Sequence, residues 1–287
     1  MIRNHPELTF FDASPVKKNE YKTLVIEKYP KVGFRQPNSF IDHEVAKLGL
    51  RDVKCAFLDA SWTMDTALAE MTDQGKALAL AIQVKSHLHA AFFELAQQIW
   101  YGSKNEADGF KGLHDLAVHA NTEMLMDAGG TGPGQTSVFA VSTGLDTCQI
   151  VWGSEGHFEE GDITNVWVPN PENTSADHNS GRWDYAQKLS GWAGLQVTSI
   201  HAFGRISGLT KECSLTDNLL FELLSRFPAG RKPQAFFMTR RSLEQLRNSR
   251  VAVNATGAPV PNPTDVAGIP IYDTDALINN EETLISD

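Results

Sequence analysis

Between Gln74 and Trp100 the chain has no proline, and Ala, Leu, Gln and Lys dominate. These residue types lose little freedom in a helix. Leu78, Ile82, Leu88, Phe92, Leu95 and Ile99 recur at three-, four- and six-residue steps, laying an apolar stripe along one face. Thr72 and Asp73 offer N-cap side chains before Gly75, and Gly102 suits the position after Tyr101, where the helix should end. A helix from Lys76 to Tyr101 would be about 39 Å long, roughly twice the usual globular length. An element of that size is a structural backbone, and the rest of the chain must be arranged along it.

What precedes the helix cannot fold alone. Residues 1–30 are polar, carry Pro6, Pro15 and Pro30, and show only short apolar touches at Phe10, Phe11, Leu24, Val25 and Ile26. An arm of this kind needs another surface to lie on. Residues 31–62 read as a two-stranded excursion. One strand is expected at 31–35 and the other at 51–58, where Val53, Cys55 and Phe57 alternate with Lys54 and Ala56. A lone hairpin is marginal in water, so this one also calls for a partner.

Beyond the helix, residues 102–135 read as loop and short helix. Strand signals at 136–143 and 149–152 flank Gly144-Leu145-Asp146 and predict a hairpin. Further strands are expected at 163–168, 183–187 and 195–200, with a surface loop over 169–182. Leu215-Thr216-Asp217 opens a helix with Leu219, Leu220, Leu223, Leu224 and Phe227 on one face. A buried strand at 234–238, a helix capped by Thr239 or Ser242, a turn-rich stretch over 254–264 and a closing strand at 269–272 complete the pattern. The class is α+β.

Chemistry is hard to find. Twenty-five Lys and Arg against 35 Asp and Glu give a net charge of −10, which argues against a protein held to nucleic acid by its overall field. Cys55, Cys148 and Cys213 are odd in number and far apart, so they form neither a disulfide framework nor a zinc knuckle, and they suit a reducing cytoplasm. The first residues lack the apolar run of a signal peptide, and no stretch approaches a membrane span of about 20 apolar residues. Asn173-Thr174-Ser175 and Asn254-Ala255-Thr256 match the glycosylation triplet by chance.

The glycine cluster at 129–134 is followed by Gln135 and β-type residues, not by the Lys and helix that a phosphate loop requires, so it reads as a linker. His87 and His89, two apart on the helix, point to different faces. Glu155, His157, Glu159, Glu160 and Asp162 form the densest acidic cluster, and a solvated turn explains them better than a cation site. Lys17-Lys18, Arg231-Lys232 and Arg240-Arg241 read as solvated basic faces, and Trp100, Trp152, Trp167, Trp183 and Trp192 as core or interface anchors. No catalytic residue, cofactor or metal ligand is expected. A metal-dependent hydrolase using Glu155, His157, Glu159 and Asp162 is the alternative from a different class.

Several stretches carry a resemblance. Ile99-Trp100-Tyr101-Gly102 closes the helix, and Gly109-Phe110-Lys111-Gly112-Leu113 follows. Gly129-Gly130-Thr131-Gly132 leads to Thr136-Ser137-Val138-Phe139-Ala140-Val141, then Val151-Trp152-Gly153, Gly191-Trp192-Ala193-Gly194-Leu195 and Arg205-Ile206. Gly268-Ile269-Pro270-Ile271 with Asp275-Ala276-Leu277 ends the series. In order and spacing, from about residue 65 to 282, these resemble the major capsid proteins of tailed bacteriophages, in the short-chain branch without a fused scaffolding segment. The resemblance implies the Hong Kong 97-like capsid fold. Residues 1–30 would be the N-terminal arm and 31–66 the extended β-hairpin loop. The spine helix and peripheral domain would occupy 67–129. The axial domain would span 130–265, with a β-rich insertion at about 136–206, and 266–287 would return to the peripheral domain.

It also implies partners. The chain would assemble with itself, as hexamers and pentamers, into the icosahedral head shell of a double-stranded DNA phage. A separate scaffolding protein, a portal protein and decoration proteins would join it. DNA would be enclosed without sequence-specific binding, and no membrane would be involved. The protein would reside in the virion after assembly in the host cytoplasm. No motif carries over the Lys–Asn crosslink of some members, and none is expected. An encapsulin-like nanocompartment shell is the alternative on the same fold.

Overall fold

In the computed structural model, which describes residues 5–41, 44–71, 73, 75–117, 124–170, 180–253 and 261–281, the chain begins on its own body. Helix α1 (Pro6–Phe10) leads Phe11 into the core, and strand β1 (Ala13–Pro15) runs parallel to β8 (Cys148–Trp152). This corrects the expectation that the leading segment needs a foreign surface. The Phe10 and Phe11 rings lie 5.2 and 6.4 Å from Phe237, so residues 5–16 bury apolar area within the protomer.

Strands β2 (Glu20–Lys28) and β3 (Lys47–Lys54) then form an antiparallel ribbon of two strands, with Glu20 opposite Lys54 and Leu24 opposite Leu50. The strand expected at 31–35 is absent, and the described residues from 29 to 46 hold no strand at all. Pro30, Gly33 and Pro37 cannot sustain a ladder, whereas Tyr21, Thr23 and Val25 alternate as a half-buried strand requires. The second expected strand divides at Cys55. There β4 (Ala56–Asp59) leaves the ribbon and joins β12 (Leu189–Val197).

Strand β5 (Trp62–Asp65) and helix α2 (Thr66–Glu70) lead to α3 (Lys76–Tyr101), the long helix. Its N-cap is Gly75 at φ +88°, a conformation glycine adopts without strain, while Asp73 lies in the preceding turn and Thr72 lies outside the described residues. The helix ends at Gly102, φ +58°, packed back to back with Gly112. A Cβ there would overlap the Gly112 backbone and the Asp115 carboxylate. Gly102→Ala is therefore expected to cost about 3 kcal/mol and lower the unfolding midpoint by roughly 8 °C, measured by thermal unfolding.

After α4 (Leu113–Ala117) come β6 (Leu125–Asp127), β7 (Thr136–Val141), β8, β9 (Glu159–Glu160), β10 (Thr164–Pro169), β11 (Gly181–Gln187), β12 and β13 (Phe203–Leu209). Helix α5 (Asp217–Arg226), β14 (Ala235–Met238), helix α6 (Arg240–Val253), β15 (Asp265–Val266) and β16 (Ile269–Asp273) close the chain. A six-stranded sheet in the order β15-β16-β14-β7-β13-β6 forms the centre. Its side chains alternate between two cores. Phe139, Val141 and Phe237 face Leu95, Ile99, Trp100 and Leu113 on one side. Val138, Ala140, Phe236 and Met238 face Leu220, Leu223 and Leu246 on the other. Burial on both faces is why β7 and β14 are apolar without alternation.

The hairpin expected across residues 136–152 does not form. A turn at 144–147 joins β7 and β8, but β7 pairs with β13 and β14 while β8 pairs with β1 and β12. Both strands are buried, and each finds its neighbours in a different layer. Parts of the loops expected at 169–182 and 254–264 fall outside the described residues, as do both glycosylation triplets.

Candidate assembly surfaces

The ribbon has two unlike faces. Tyr21, Val25 and Val53 turn inward, and the Tyr21 hydroxyl donates to Gln196 Oε1 on β12. The outer face carries two cross-strand ion pairs at its base, Lys54–Glu20 at 3.0 Å and Lys22–Asp52 at 3.6 Å. Toward the tip it carries two exposed apolar pairs, Leu24 with Leu50 and Ile26 with Leu48. Beyond them every residue from 31 to 40 is exposed. Phe34 and Phe40 are fully exposed, Val32 is 86% exposed and Val45 89%. An uncovered group of large apolar side chains at the end of a two-stranded ribbon marks a contact surface.

Two further surfaces are uncovered. The first half of α3 presents Leu78 and Ile82 to solvent, beside exposed Leu68 and Met71, because only the second half of the helix crosses the core. The edge strand β10 pairs Trp167 with Trp183 of β11, their rings 5.5 Å apart and both exposed. Of the five tryptophans read as anchors, Trp100 is buried in the core and these two stand on the surface.

The titratable groups are dispersed. Glu155 lies 3.9 Å from Lys17 and Glu159 lies 3.8 Å from Lys188, so the acidic turn is neutralised by its neighbours. Among the described residues no three His, Cys, Asp or Glu side chains are placed to hold a metal ion. His87 approaches Trp62 and His89 approaches His5, on different sides of α3. Burial raises the Cys55 and Cys148 thiols, which keeps them protonated and unreactive. Arg240 reaches Asp273 at 3.2 Å, and Arg231 lies over the Tyr29 ring. Among the described residues no helix is long and apolar enough to cross a membrane.

One buried acid stands apart. Glu7 is fully buried on α1, with His5 Nδ1 3.7 Å from its Oε1, too long for a hydrogen bond. Burial pushes its carboxyl up to about 7, opposed by hydrogen bonding to the backbone and to Thr274 and reinforced by the Asp275 charge. Burial likewise lowers His5, aided by His89, so the pair is neutral. The folded state then holds a proton on Glu7 that the unfolded chain releases near its ordinary value. Stability is full below pH 4.5 and falls as pH rises through about 7. Glu7→Gln is expected to gain up to about 3 kcal/mol over the wild type at pH 8 and little at pH 4, measured by denaturant unfolding at both values.

The family model described as "Major capsid protein GP7" matches residues 8–285. No curated protein matches the sequence. Among solved structures, a chain of bacteriophage Epsilon15 superposes with a TM-score of 0.65 at 18% identity, covering 95% of this chain and 87% of that one. A chain of the bacteriophage JBD30 procapsid gives 0.48 at 10% identity, covering 94% and 91%. The holo-SrpI encapsulin complex from Synechococcus elongatus gives 0.46 at 8% identity, covering 73% and 89%. The Epsilon15 likeness shows the fold, the Hong Kong 97-like capsid fold expected from the sequence.

Proposed function

The chain belongs to the major capsid protein GP7 family, and from that premise we propose how its uncovered surfaces build a shell. It is a capsid shell protein of the virion. Copies meet head-to-tail in hexameric and pentameric rings, which close and so avoid open fibres. Residues 31–66 act as the extended loop that lies on a neighbour. Residues 67–129 form the spine and peripheral domain, 130–265 the axial domain at the ring centre, and 266–287 the return. Each contact can be weak because many act together.

A separate scaffolding protein guides closure in the host cytoplasm, a portal protein occupies one vertex, and decoration proteins bind outside. The net charge of −10 suits a wall that confines double-stranded DNA without gripping it. The protein has no catalytic role.

The observation that carries this reading is the ribbon tip. Exposed Val32, Phe34, Phe40 and Val45 gain about 1.5–3 kcal/mol each on burial, and the protomer leaves all four in water. Negative-stain microscopy and sedimentation velocity of the expressed protein, alone and with its scaffold, test the proposal. Closed particles are expected, and monomers under every condition would overturn it.

A further inference from the structure

Beside the base of the ribbon, between the second half of α3 and β4, lies an open groove of about 330 Å³. Its floor is apolar, formed by Ala56, Leu58, Leu95, Phe110 and Ala193. Its rim is acidic. Glu94, Glu106 and Asp108 line it, and among the described residues none of the three forms an ion pair. A cavity of about 150 Å³ accommodates a benzene ring, so this groove has room for an aromatic side chain and a neighbour.

The ribbon tip is its chemical complement. In a chain of net charge −10, residues 28–35 carry Lys28, Lys31 and Arg35 and no acid, together with Tyr29, Val32 and Phe34. We propose that this groove receives the tip of a second copy, with Phe34 on the apolar floor and Lys31 and Arg35 against the acidic rim. The inference rests on the shell reading above and names the acceptor of the loop.

The occupant must be another copy. The groove begins at Ala56, directly after β3, while the tip lies at the opposite end of that strand. From Lys47 to Ala56 an extended chain covers about 30 Å, and the paired ribbon cannot fold back over that length. The tip and the groove of one protomer thus face different neighbours. This is the head-to-tail contact that generates rings.

The opposed charges also explain orientation. Apolar burial alone would let the tip slide, whereas cations on one partner and carboxylates on the other fix its direction and reject a groove-to-groove approach.

Two experiments test this. The first places p-benzoyl-phenylalanine at position 34 of the full chain and irradiates the oligomers. A product of twice the chain mass is expected, with the crosslink mapping to residues 56–58 or 95–110. Crosslinks elsewhere, or none, would overturn the groove. The second reverses charge. Lys31→Glu with Arg35→Glu, and separately Glu106→Lys with Asp108→Lys, are each expected to lower the assembled fraction by about tenfold or more. All four positions are exposed, so folding is undisturbed, which unfolding midpoints verify. Combining the four substitutions is expected to restore assembly to within about twofold. Reversal variants that assemble normally, or a combined variant that does not recover, would overturn the inference. Because both readouts use oligomers, particles that form while the crosslink maps elsewhere sink the groove alone and leave the shell reading standing.

Discussion

Replacing Phe34 and Phe40 together by serine is expected to abolish particle formation while leaving the protomer's unfolding midpoint within about 2 °C of the wild type. The second half follows from exposure. Both rings are fully in water in the protomer and contact none of its cores, so removing them takes nothing from the folded monomer. The first half follows from arithmetic. Each phenylalanine contributes about 1.5–3 kcal/mol when buried on a partner, so the double variant loses roughly 3–6 kcal/mol at every contact. That is about a hundredfold to ten-thousandfold in each association constant, and a closed ring repeats the loss at every subunit. Size-exclusion chromatography and negative-stain microscopy of the variant read the first half, and thermal unfolding reads the second. Particles at wild-type yield would remove the ribbon tip from the assembly argument whatever surface accepts it. A monomer destabilised by several kilocalories would show instead that the tip packs on its own body.

The helix was legible because its signal is local. Lys76–Tyr101 follows from the absence of proline, the apolar stripe and Gly102, and none of these depends on the rest of the chain. The strand at Ala235–Met238 and the Thr239 cap, whose Oγ1 accepts from Ser242 N at 3.3 Å, were legible for the same reason. What the sequence obscured was non-local. Nothing in Thr136–Val141 or Cys148–Trp152 tells that two strands joined by a short turn enter different sheets, since both are simply apolar. Phe10 and Phe11 look like isolated touches in a polar arm until Phe237, distant in sequence, supplies their surface. The ribbon was placed downstream of its true strands because Val32 and Phe34 suggest a strand that Pro30 and Pro37 forbid. The candidate surface survived this error. Its defining property is that those same apolar residues have no partner in the protomer, which holds whether or not they form a ladder.

The least legible feature carries the other large effect. Glu281, a single acid near the end of the described chain, is buried beneath the end of α3. The Tyr101 hydroxyl donates to its Oε1 at 3.0 Å, and Ser137 Oγ donates to Oε2 at 2.6 Å. Arg205 Nη2 donates to the same Oε2 at 3.0 Å, and Arg205 Nε donates to Ser137 Oγ at 3.0 Å. The backbone of Ile278 donates to the Tyr101 oxygen at 2.9 Å, so the network ties helix, central sheet and chain end together. Burial, and then the Glu281 charge, pushes the Tyr101 hydroxyl far above its ordinary value, which keeps it a donor. Glu281→Ala leaves the Arg205 guanidinium buried without its counter-ion. That is expected to cost about 3–5 kcal/mol and to lower the midpoint by roughly 12 °C. The penalty comes from the stranded charge and not from the value of the pair. The double variant Arg205→Met with Glu281→Leu is therefore expected to recover more than half of the loss, the remainder reflecting Tyr101 and Ser137 left without their acceptor. Unfolding of the two variants side by side separates these terms. A single variant as stable as the wild type would show that water reaches Arg205, and the chain end would then be no fastening for the long helix.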